Sequence, residues 1–252
     1  MDVAEAWRAL QAQRFPELPF DCGNSADPGI RFHEEVRDWS DKDTTYDQLR
    51  IERFIDRYDL RQKRVLHVGM GNSGLAKRFH RRTCEIVGTT IDEPEIEVAR
   101  SLRLPNYRFI MHNKYSGKND AVTGSFDFIV DNNPTSPCCC IRHLSTLFDF
   151  YVEKLGPSGL VVTDRAGLEW VPKGANPRWS FCFDELEAAS AVVGLSAYRA
   201  NETVIVLSRS PPMRPGRAAM FRHRLRRARS LPARIRKTPA RAYWRMLRKL
   251  IG

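Results

Sequence analysis

The sequence predicts an α/β fold: a doubly wound, mostly parallel sheet of seven strands, carried between an irregular N-terminal arm and a basic helical tail. Three observations predict it. β-rich apolar runs alternate with helical stretches from Val65 onward, the order of βαβ units. A glycine-rich turn, Gly69-Met70-Gly71-Asn72-Ser73-Gly74, follows the first of those runs and opens a helix. Two short runs, 195–199 and 203–208, close the series as antiparallel strands.

Composition bounds the answer. At 252 residues the chain can hold one domain with a good core plus appendages. No run of about 18 apolar residues predicts a membrane span. The start, MDVAEAWRALQAQRF, is weakly amphipathic, carries acids and lacks an apolar h-region, so no signal peptide is expected. Three of the cysteines are adjacent, Cys138, Cys139 and Cys140, which is no disulfide framework and suits a reducing cytoplasm. The net charge of +11 is an uneven average. From Arg209 onward there are 15 basic and no acidic residues, so the preceding chain, with 26 basic and 30 acidic side chains, carries about −4. A mildly acidic body is joined to a strongly basic tail.

Each element has its own signal. Residues 1–46 hold scattered Pro and Gly with the aromatic anchors Phe15, Phe20, Phe32 and Trp39, which reads as an arm packed on the body or a lid over its site. Residues 45–58 read as a helix. The stretch 65–68 is a short β-forming run suited to a buried strand, and 75–80 has helical composition. A second strand is expected over 85–91. Pro94 and early Glu residues then mark a helix over 94–102. Strands follow at 107–111 and 126–130, separated by polar loop. A helix is expected over 139–155, a turn at Gly156-Pro157-Ser158-Gly159, a fifth strand over 160–163 and a helix over 183–193. The body is therefore 47–208 and the tail 209–252.

At the glycine turn, Gly69, Gly71 and Gly74 satisfy G-x-G-x-x-G, so this motif alone fits a dinucleotide. The chain from about 47 to 208 resembles the class I S-adenosylmethionine-dependent methyltransferases, which have a Rossmann-like sheet. VLHVGMGNSGLA (65–76) resembles their first motif, FDFIVDNNP (126–134) their fourth, and LGPSGLVVTD (155–164) their L-x-P-G-G turn and fifth strand. The later motifs and the terminal hairpin favour methyl transfer over a nicotinamide cofactor.

The resemblance implies S-adenosylmethionine as cofactor. Gly69 and Gly71 would pass close to its methionine part, with Asn72 and Ser73 placed to donate to its carboxylate. The family has acids at three places where this chain differs: His67 opens the first motif, Thr90 ends the second strand with Asp92 two residues on, and Asn113 stands where an acid meets the adenine amino group. A neutral hydrogen bond there is about half as strong as a charge-assisted one.

Methyl transfer from a sulfonium is a direct displacement, which the protein serves mainly by alignment. A hydroxyl acceptor also needs a base. Asp131 and Asp164, at the ends of the fourth and fifth strands, are the candidates, and Asp131 is expected to touch cofactor or substrate. Arg165 follows the second acid where metal-dependent relatives have Asn, which argues against a metal. His143 shares a helix face with Cys139 and Cys140 and is expected as a pocket residue; the cysteines read as small buried hydrophobes. Tyr115, Trp170 and Trp179 read equally as core or pocket.

In the tail, 220–229 reads as an arginine-rich helix, Pro232 breaks it, and Thr238-Pro239 opens a second helix. Its Ala240, Tyr243, Trp244, Leu247, Leu250 and Ile251 face one way, and Arg241, Arg245, Arg248 and Lys249 the other. Over 218–252 such a segment suits an anionic membrane surface; nucleic-acid phosphates would also attract these charges. Two functions are therefore expected. One is a cytoplasmic methyltransferase, peripheral on the inner membrane face, acting on a small-molecule, sugar or lipid-linked acceptor. The other is a non-catalytic or nucleic-acid-directed protein on the same fold, working through its tail. The N-P-P-[YF] signature of the nucleic-acid enzymes is absent from Asn133-Pro134-Thr135-Ser136.

Overall fold

A computed structural model describes residues 38–135, 140–170 and 181–210, together with Glu5. Packing divides the chain into two units, 1–52 with 60–212, and 53–59 with 213–252. Of the second unit, 53–59 is described: it ends the first helix, with the Phe54 and Tyr58 rings edge to face at 5.5 Å. Most of the expected arm, and the tail beyond 210, lie outside the described residues.

The first unit is built on seven strands: β1 Arg64–Val68, β2 Glu85–Thr90, β3 Tyr107–Met111, β4 Phe126–Asp131, β5 Leu155–Asp164, β6 Ser196–Arg199 and β7 Val204–Ser208. Their order is β3-β2-β1-β4-β5-β7-β6. The pairings are parallel except those of β7, which runs antiparallel to both β5 and β6. Helices α1 Tyr46–Ile55, α2 Gly74–Phe79, α3 Glu93–Ser101, α4 Ile141–Lys154, α5 Arg165–Leu168 and α6 Phe183–Val192 connect them.

The central strands are near-continuous apolar runs because both faces are covered. Leu66, Ile129, Val161 and Ile205 from four strands share a buried cluster with Leu144, Leu147 and Phe148 of α4. Fully burying one such side chain contributes about 1.5–3 kcal/mol. On the other side of β2, Met70, Ile96 and Ala99 form a smaller cluster against Tyr107, Phe109 and Met111.

The expected strands and helices stand within a few residues of their places, with three differences. The Gly156-Pro157-Ser158-Gly159 run is no turn between elements. It lies inside β5, where Leu155 pairs with Phe126 and the next paired residue, Leu160, meets Phe128. Pro157 lacks an amide hydrogen, so the run bulges out of the ladder and exposes Pro157 and Ser158. Second, α4 begins at Ile141, and Cys138 and Cys139 lie outside the described residues. Third, one short helix, α5, follows β5 directly, because Asp164 caps it by accepting from the Ala166 N–H at 2.9 Å.

Candidate active site

The strand order changes direction between β1 and β4. The chain proceeds from β1 through β2 to β3 on one side and from β4 to β5 on the other. Ligands of open α/β sheets sit beyond the strand ends at such a point. Here the register pairs Val68 with Asp131, so the glycine bend and Asp131 leave the sheet side by side.

Gly69 has φ +68° and Gly71 φ +49°, left-handed conformations that favour glycine. A Cβ placed on Gly69 would meet nothing within 4 Å, so the backbone is open to close approach there. Ser73 is also left-handed, φ 58°, and its hydroxyl lies 2.9 Å from that of Tyr107. The bend is tied down from below by the Met70 N–H, which donates to the Thr89 carbonyl at 2.9 Å.

A segment before α1 runs along the bend. Asn72 donates to the Lys42 carbonyl at 2.6 Å and accepts from the Gly74 N–H at 2.8 Å. A Cβ on Gly71 would touch Trp39 at 3.5 Å. From α3, Glu95 accepts the Gly71 N–H at 3.0 Å. Burial raises the pKa of this carboxylate.

Asp131 is 1% exposed. Lys114 Nζ donates to its two oxygens at 3.0 and 2.9 Å, and the Tyr151 hydroxyl donates at 2.7 Å. Lys114 also donates to the Asn133 carbonyl at 2.6 Å. Burial and the neighbouring Asp131 carboxylate push the Tyr151 hydroxyl well above its ordinary pKa. Tyr115 donates to the Pro134 carbonyl at 2.6 Å and is buried.

No protein-family model and no curated protein sequence matches the chain. Solved structures do. The N-methyltransferase NodS of Bradyrhizobium japonicum, in complex with S-adenosyl-L-homocysteine, is 14% identical over 68% of this chain and 93% of its own, with a TM-score of 0.51. CalS10 of Micromonospora echinaspora, an amino pentose methyltransferase with S-adenosylmethionine bound, is 15% identical over 69% and 93%, also at 0.51. The fold is that of the class I S-adenosylmethionine-dependent methyltransferases.

On this methyltransferase fold the expected residues take distinct places. Gly69, Gly71, Asn72 and Ser73 form the bend, but the polar groups of Asn72 and Ser73 are turned to Lys42, Gly74 and Tyr107. Thr90 accepts the Asp92 N–H at 3.1 Å, and Asp92 is the buried N-cap of α3. Asn113 accepts the Tyr115 N–H at 3.0 Å, so its oxygen closes its own loop. His67 is buried inside β1, and burial lowers its pKa to about 4, leaving a neutral ring.

The two strand-end acids are not a bare pair. Asp164, with a fully buried side chain, accepts two hydrogen bonds from Arg50 of α1, at 2.8 and 2.5 Å. It anchors α1 to β5 while capping α5. His143 is buried with Nδ1 3.3 Å from Cys140 Sγ. Trp170 is exposed at 38%, whereas Trp179 lies outside the described residues.

Two residues were not predicted for the site. Lys114 lies in polar loop composition and carries no motif; only its partner, 17 residues on, reveals it. Glu95 reads as a first-turn helix acid, which is common enough to hide its role.

Proposed function

We propose that this chain transfers a methyl group from S-adenosylmethionine to a small-molecule acceptor. The observation that carries the reading is the open face of Gly69 beside Asp131, at the point where the strand order reverses. A backbone that a Cβ would not obstruct, with left-handed glycines on either side of Met70, fits a ligand lying against the bend. The donor, when bound, supplies an electrophilic methyl on a sulfonium.

The chain's own residues then hold and align. Gly69 and Gly71 offer close backbone approach, and Thr90, Asp92 and Asn113 line the strand ends that follow. Asp131 faces the acceptor side, held in place by Lys114 and Tyr151. Its oxygens already accept three bonds, and Asp164 is held by Arg50, so both acids are engaged within the protein. Alignment can supply up to about 7–11 kcal/mol. That favours an acceptor nucleophilic without a strong base, such as an amine. The names of the two neighbours, an N-methyltransferase and an amino pentose methyltransferase, agree with that chemistry. His143 is proposed to shape the acceptor side.

Calorimetry with S-adenosylhomocysteine tests the reading. Low-micromolar binding to the full chain, lost in Gly71→Arg while the melting temperature holds, supports it; no binding by the unaltered chain rejects it.

We further propose that 211–252 attaches the enzyme to an anionic membrane surface, since each basic residue near such a surface contributes about 1 kcal/mol. Sedimentation with phosphatidylglycerol vesicles, abolished by deleting 211–252, supports this; salt-sensitive retention on RNA with no vesicle binding points instead to nucleic acid.

A further inference from the structure

Lys114 is 9% exposed, and a buried ammonium is tolerated only when it is paired and hydrogen-bonded. It is both. An ammonium has three donors. They meet Asp131 Oδ1 at 3.0 Å, Asp131 Oδ2 at 2.9 Å and the Asn133 carbonyl at 2.6 Å. Stability alone does not call for such a pair, since apolar side chains of similar volume often serve as well.

Its position is what sets the pair apart. Asp131 ends β4 opposite Val68, beside the glycine bend. Lys114 comes from the loop after β3, which is separated from β4 in the sheet by β2 and β1. A loop from the far edge thus delivers a positive charge to the strand end at which the donor's methyl is read to lie. The next strand end is treated alike: Arg50 donates to both oxygens of Asp164, at 2.8 and 2.5 Å. Each of these two carboxylates has a cation fixed on it, so neither pair brings net charge to the acceptor side.

Unit charges a few ångströms apart interact far more strongly in a buried site than in water. S-adenosylmethionine and S-adenosylhomocysteine differ by one methyl and one positive charge. A bare carboxylate at residue 131 would therefore favour the first over the second, and a cancelled one would not. We propose that Lys114 is a positioning residue that fixes Asp131 and cancels its charge, so that the site takes up the donor without drawing on the charge of its sulfonium. This rests on the methyl-donor reading above.

The test is calorimetry on the full chain with both ligands at about pH 8, where carboxylates are ionised. The readout is the ratio of the two affinities, which a loss of shape alone would leave unmoved. The unaltered chain binds the two within fivefold of each other. Lys114→Gln, which keeps a donor and removes the charge, moves the ratio tenfold or more toward S-adenosylmethionine, and Lys114→Arg, which keeps the charge, leaves it within fivefold. Joining Lys114→Gln to Asp131→Asn, a neutral pair of similar shape, returns the ratio to that of the unaltered chain. Equal losses for both ligands in Lys114→Gln would mean that Lys114 only holds the loop, and would overturn the inference. So would a preference beyond fivefold in the unaltered chain, a comparison that needs no variant to fold, or a ratio moved beyond fivefold in the neutral pair. If the unaltered chain binds neither ligand, the methyl-donor reading fails and takes this one with it; if it binds both and the ratio in Lys114→Gln stays put, this inference alone fails.

Discussion

Ser73 shows two small energies in near balance. Its left-handed backbone, φ 58°, costs about 1 kcal/mol relative to glycine. Its hydroxyl, 2.9 Å from that of Tyr107, recovers about 1 kcal/mol. Ser73→Gly should therefore stay within about 0.5 kcal/mol of the natural chain. Ser73→Ala keeps the strain, loses the bond and should fall by about 1 kcal/mol. Urea denaturation of both variants measures the difference. The residue type was legible as part of a glycine-rich turn. The direction of its hydroxyl was not, because Tyr107 lies 34 residues on and no local pattern links them.

At the scale of elements, the loop after β3 is fastened to β4 and α4 through one buried cation. Lys114→Met would leave Asp131 buried with Tyr151 as its remaining donor among these contacts, and should cost about 3–5 kcal/mol. Tyr151→Phe removes one bond to an ionised group and should cost about 1.5–3 kcal/mol. Joining Lys114→Met to Asp131→Leu should restore much of the loss, since replacing a buried pair by apolar groups is often neutral. Chemical denaturation of the single and double variants checks all three. Sequence periodicity placed these elements well, because 2.0 and 3.6 repeats are local. It missed α5, whose four residues are too few for a repeat and follow the strand directly. It also read the Gly156–Gly159 run as a turn, since Pro and Gly mark a break in a ladder as readily as its end.

For the whole molecule, acidity is the sensitive variable. Burial lowers the pKa of His67 to about 4, and burial together with the nearby Lys154 lowers that of His112 to about 4. In the unfolded chain both rings take protons from about pH 6.5 downward, whereas the folded protein resists until about pH 4. The unfolded state thus binds more protons in that window, and stability falls as pH drops through it. The contribution is complete above pH 6.5 and is of order 3 kcal/mol for each ring. Glu95 and Asp149, both raised by burial, work in the opposite sense. Melting temperatures across pH 4–7 should show the decline, and His112→Phe, beside the Phe150 ring at 5.3 Å, should flatten it. The doubly wound architecture was legible from strand order and motif spacing. The engagement of the strand-end acids was not, because Arg50 meets Asp164 across 114 residues of sequence.

Gly88 has a bearing on how this chain can diverge. A methyl group there would press on Met70 Sδ and the Tyr107 hydroxyl, each 2.7 Å away. The same hydroxyl lies 3.1 Å from that sulfur. Positions 70, 88 and 107 thus partition one volume, and mutation cannot enlarge one without shrinking another. Any descendant lineage that acquires alanine at 88 should carry a smaller residue at 70 or 107, a covariation that drift alone would not produce.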